Sequence, residues 1–145
     1  MYRFTTTTEI ASQTYPDLCF AYYAHEAVAY GRGPRLQTSE AGYLHTAKVS
    51  NWDRIASWDE ALEVWEAAGL VVGSSEPMIY ADSAKFRQAL ADAGFGGMIY
   101  DDAGPLNAYE HETVRVWDMT LLTVTGCTPV TVDEVDAAWD RACGA

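Results

Sequence analysis

Positive charge is what this chain has least of: nine Lys and Arg stand against 21 Asp and Glu, a formal net charge of −12. Nucleic acids are held by clustered cations that displace counterions from phosphates, so direct binding of DNA or RNA is not expected. The excess of acid favours solubility, and it suits a surface that steers toward a basic partner. Cysteine is scarce too. Cys19, Cys127 and Cys143 are odd in number and form no C-x-x-C pair, which argues against a disulfide framework and a zinc site and predicts three free thiols. No apolar run approaches the roughly 20 residues of a membrane-spanning helix, and the opening "MYRFTTTTEI" lacks the apolar core of a secretion signal. Residence in a cytoplasm, away from membranes, is the expectation. His25, His45 and His111 do not cluster at ligand spacing, so no metal is expected, and the chain has no Walker loop, G-x-S-x-G or H-E-x-x-H.

What is present reads as one folded unit spanning 1–145. A hydrophobic fraction of 49%, with five Trp and nine Tyr, excludes a disordered chain, and 145 residues suffice for a single core. Alternation in "MYRFT" predicts a strand, and "DLCFA" a second one leading into a short helix in "YAHEAVAYG" that Gly31 ends. A glycine-rich loop, "GRGPRLQTSEAG", precedes a strand in "YLHTAKV". Ser57 and Glu60 have capping-box spacing ahead of a helix whose apolar face is Leu62, Trp65 and Ala68. A further helix runs through "DSAKFRQALADAG", with Phe86, Leu90 and Ala93 on one face and Gly94 as its stop. "FGGMIYDD", "ETVRVWD" and "LLTVTG" read as strands, with Asp101 and Asp102 ending the first of them at a turn or, alternatively, serving as acceptor-site or loop anchors. Thr131 and Glu134 repeat the capping box before a last helix bearing Val132, Val135 and Trp139. Strands and helices mix without regular βαβ alternation, which predicts an α+β fold of antiparallel-rich mixed sheets with peripheral helices.

Three distant segments carry the candidate chemistry: Arg3 on the first strand, the aromatic unit "CFAYYAHEAVAYG", and Glu110 and Glu112 in "AYEHETVRVWD". In an extended segment, residues two apart share a face, so both glutamates project together while His111 turns the other way.

The order of these elements resembles the ADP-ribosyltransferase superfamily, whose members split NAD at its nicotinamide bond. "YRFT" is similar to the Tyr-Arg-Gly-Thr start of that family, and "CFAYYAHEAVAYG" to its aromatic segment, with Tyr30 at the position that stacks on nicotinamide. "AGFGGMIYDD" and "HETVRVWD" resemble the run before the last strands and the strand that holds the catalytic glutamate. The resemblance implies an ADP-ribosyltransferase-like fold and NAD as the consumed cofactor. Glu112 would then stabilise the oxocarbenium-like transition state, and Glu110 would orient or deprotonate the acceptor, in a Glu-x-Glu pair like that of the arginine-modifying branch. It further implies that Arg3, Thr5, Phe20, Ala21, Tyr22 and Tyr30 bind NAD, Arg3 on its pyrophosphate or ribose side with Arg32 and Arg35 as helpers.

By the same resemblance the chain is a small mono-ADP-ribosyltransferase acting on a macromolecular, protein target. It is similar in size to phage-encoded members, including anti-CRISPR ADP-ribosyltransferases, and to effector toxins. The target would be bound by the loop after Tyr30 and the turn near Pro105. Phe4 replaces the family's glycine after the first-strand Arg, Ala27 stands where relatives carry a serine, and the Ser-Thr-Ser strand is absent. Those departures keep open the alternative of a catalytically inactive acidic module that occupies a basic surface of a partner.

Overall fold

The computed structural model describes residues 1–10, 17–32, 38–73, 76–103 and 109–144. Its strands are β1 (Tyr2–Thr5), β2 (Leu18–Ala21), β3 (Gly42–Val49), β4 (Ile55–Ala56), β5 (Gly97–Ala103), β6 (Glu110–Val116) and β7 (Leu122–Val130). The helices are α1 (Ala24–Val28), α2 (Trp58–Ala67), α3 (Pro77–Ala81), α4 (Ala84–Asp92) and α5 (Val132–Ala142). The strands form one seven-stranded sheet in the order β4-β5-β6-β2-β1-β3-β7, where more than one sheet is predicted from sequence. All its pairs are antiparallel except β4 with β5, so the antiparallel-rich character holds.

Local chemistry explains most of these elements. Ser57 and Thr131 cap α2 and α5, each with its reciprocal glutamate, Glu60 and Glu134. Gly94, at φ +95, takes the left-handed conformation that ends α4. Trp65 and Leu90 lead the α2 and α4 faces into a cluster with Tyr80, Met98 and Tyr100, whereas Ala68 and Ala93 are exposed. A second cluster joins Leu18, Phe20, Val114 and Val116 to Ile55 and Leu121. A third puts Val135 and Ala138 of α5 against Val28 and Val130; Val132, expected on that face, is exposed.

Two elements have no clear signal in the sequence. β4 is two residues long, and α3 begins at Pro77 with no side-chain cap. Gly31 does not stop a helix as expected: a 3-10 turn, Ala29–Arg32, continues through it. Its small size serves packing, since a Cβ there would lie 2.8 Å from Val135 and 3.0 Å from the Phe4 ring. A Cβ on Gly42 would lie 2.5 Å from that same ring, so the bulk of Phe4 fits between two residues without side chains. All three cysteines are free thiols, and among the described residues no helix is long and apolar enough to cross a membrane.

Candidate functional site

β1 and β2 are joined by one residue pair, Tyr2 with Ala21, while β2 pairs with β6 along its whole length. Where β1 and β2 part, the Arg3 guanidinium spans the gap. Its Nε donates to the Ile10 carbonyl at 2.9 Å and its Nη1 to the Cys19 carbonyl at 3.1 Å. A cavity of about 200 Å³ opens beside it. Its wall takes Arg3 and Phe4 from β1, Phe20 and Ala21 from β2, Ala27 and Tyr30 from the helical segment that follows, Asp102 from β5, and His111 and Thr113 from β6.

The polar groups of this wall are held in defined states. Nδ1 of His111 lies 3.2 Å from the Glu112 carbonyl and 3.3 Å from the Thr113 hydroxyl. Nε2 lies 2.7 Å from the Tyr30 hydroxyl. Burial, aided by the charges of Asp102, Cys19 and Glu26, holds the Tyr30 phenol well above its ordinary range, so it stays a proton donor. Burial also pushes the Cys19 thiol up, which leaves it a poor nucleophile. The same cause lowers Arg3, a cation half removed from water whose two bonds go to neutral carbonyls.

Behind the cavity, sharing Arg3, Cys19 and Asp102 with it, lies a depression of about 520 Å³ lined also by Asp17, Asp82, Arg87, Tyr100 and Arg115. Arg115 is the centre of its charge network. Its Nε donates to Asp17 at 2.7 Å and its Nη1 to Asp82 at 2.5 Å, and Arg87 approaches Asp17 at 3.6 Å. Arg115 is 5% exposed and Asp17 3%, so the bond that ties β6 to the residue before β2 is buried, while the network reaches the solvent at Asp82, at the end of α3.

Of the residues singled out from sequence, Arg3, Phe20, Ala21 and Tyr30 meet at the cavity. Glu110 and Glu112 do not. They share a face, as expected, but it is the exposed one, and they line a separate depression of about 940 Å³ with Trp58, Met78 and Asp101. His111, on the opposite face, takes the place at the cavity that the resemblance gives to Glu112. Thr5 also lies elsewhere: its hydroxyl donates to the Thr7 carbonyl at 2.6 Å and accepts from buried His45 at 2.7 Å. Tyr22 is exposed in an open aromatic depression with Tyr23 and Trp52. Arg32 is tied to α5, with Nη1 3.3 Å from Asp136 and its guanidinium 5.5 Å from the Trp139 ring centre. Arg35, Pro105 and residues 33–37 of the loop after Tyr30 lie outside the described residues.

Asp102 and His111 are site residues to which the sequence reading gave no part in the NAD site. Asp102 belongs to β5 rather than to a turn, and it stands directly opposite His111 in the antiparallel register, which puts both side chains on one face. A signal existed in the two-residue period of "IYDD": Tyr100 and Asp102 share a face, so a carboxylate sits two positions beyond a core aromatic. No family model, no curated protein and no solved structure matches the chain.

Proposed function

We propose that the protein binds NAD by its nicotinamide end in the cavity between β1 and β2 and transfers ADP-ribose to a protein acceptor with a basic surface. The observation that carries this reading is the convergence of Arg3, Phe20, Ala21 and Tyr30, picked out by a sequence resemblance to ADP-ribosyltransferases, on one cavity. The neighbouring places of β1, β2 and β6 in the sheet are in keeping with the arrangement that resemblance implies. A volume of about 200 Å³ falls below the roughly 300–1,000 Å³ of whole-ligand pockets and suits a single planar ring. The diphosphate would extend toward the adjoining depression, where Arg3, which bonds only neutral carbonyls, is the cation not already paired with a carboxylate. Glu110 and Glu112, exposed in the next depression, suit contact with the acceptor.

One observation favours a second reading, an inactive acidic module that occupies a partner's basic surface: both glutamates of the pair lie outside the cavity. Incubation of the purified protein with labelled NAD and a cell lysate separates the readings. A discrete labelled band supports transfer, free ADP-ribose alone supports hydrolysis, and intact NAD with an acidic-surface-dependent complex supports the module.

A further inference from the structure

We propose that Asp102, rather than Glu112, is the catalytic carboxylate of the cleft. The assignment rests on the NAD reading above and deepens it. Departure of nicotinamide breaks the C1′–N bond, and the bonding pair leaves with the ring, which changes from pyridinium to neutral amide. Positive charge is left on the ribose as an oxocarbenium-like centre. A fixed anion beside that centre stabilises the transition state more than the ground state, which is what raises the rate. Water or an acceptor then adds to C1′ and gives up its proton to the same carboxylate, which releases it to solvent.

Such a group must face the cavity, and among the described residues that line it Asp102 is the one carboxylate. Glu112 lies across from Asp101 in the β5–β6 ladder, on the opposite face, whereas Asp102 lies across from His111. Asp102 also lines both neighbouring depressions, the one with the arginines and the one with Glu110 and Glu112. A carboxylate at the junction of the three can meet the ribose while diphosphate and acceptor approach from either side. Tyr30 and Cys19, which line the same cavity, are both raised in part by Asp102.

The test is nicotinamide release from NAD by the full chain, with NAD affinity measured by calorimetry. Asp102→Asn is expected to lower the rate about a hundredfold while leaving NAD affinity within about threefold, the mark of an interaction made in the transition state. Asp102→Ala provides a second route that does not depend on the amide fitting: sodium formate should restore part of the lost rate by refilling the vacant anion position. Normal release by well-folded Asp102→Asn, or an inactive Asp102→Ala that formate does not restore, overturns the assignment of Asp102 and leaves the NAD reading standing. A wild-type protein that neither binds NAD nor releases nicotinamide overturns both.

Discussion

The two faces of β6 bury opposite kinds of residue. One carries His111, Thr113 and Arg115, all polar and all buried; the other starts with exposed Glu110 and Glu112 and ends in buried Val114 and Val116. The polar face is tolerated inside because its groups find partners: Tyr30 for His111, and buried Asp17 with exposed Asp82 for Arg115. In this strand burial is decided by available partners, not by polarity, since a buried polar group is costly only when left unpaired. The carboxylates on the other face are solvated, and the fold depends on them very little.

That contrast is broken most severely at Arg115. Arg115→Ala leaves Asp17 buried beside only the more distant Arg87, and it should cost about 3–5 kcal/mol, read as a lowered urea midpoint or an unfolded chain. A loss below about 1 kcal/mol would show that the buried ions contribute nothing net. Next comes Gly31→Ala, where the new methyl meets Val135 and the Phe4 ring. A cost of about 1–3 kcal/mol is expected, with the turn bearing Tyr30 displaced; on the proposed reading, NAD affinity should fall together with the melting temperature.

Smaller effects sharpen the comparison. Tyr30→Phe removes one hydrogen bond to His111 and should cost about 0.5–1.5 kcal/mol in chemical denaturation. Burial raises Tyr30, Tyr100 and Tyr109 above the ordinary tyrosine range in the folded state. Their folded values exceed the unfolded value of about 10, so the stability they contribute is whole below that pH and is lost as pH rises past it. Tyrosinate absorbance from these three should therefore appear only together with alkaline unfolding. A titration in which all nine tyrosines ionise before the fold is lost would contradict the burial of Tyr100 and Tyr109. Smallest of all, Glu112→Gln should change stability by no more than about 0.5 kcal/mol, and a larger loss would mean that the exposed face is tied down after all.

Periodicity made the pairing of Glu110 with Glu112 legible, but it could not say which face of β6 meets the cavity, because that depends on where β2 and α1 lie. Capping boxes at Ser57 and Thr131 were legible because both partners sit within one helical turn. Arg3 and Tyr30 could be found from a resemblance in segment order, and they do share a cavity. The Arg115 network was not legible, since Asp17, Asp82 and Arg87 come from three other segments with no fixed spacing. Asp102 was assigned to a turn because consecutive aspartates favour turns. Pairing with β6 across the whole of "YDD" carries the strand through them.

The cavity wall runs from Tyr2 to Thr113, and β1, which supplies its first residues, is an interior strand whose neighbours β2 and β3 both come later in the chain. Contacts so distant in sequence are closed only after long loops have been ordered, so they form late in folding. A partly folded chain therefore has no partial version of this cavity. The cavity should form during synthesis or refolding in a single step with the docking of β6 against β2, and its formation should coincide with the last phase of structure formation rather than precede it.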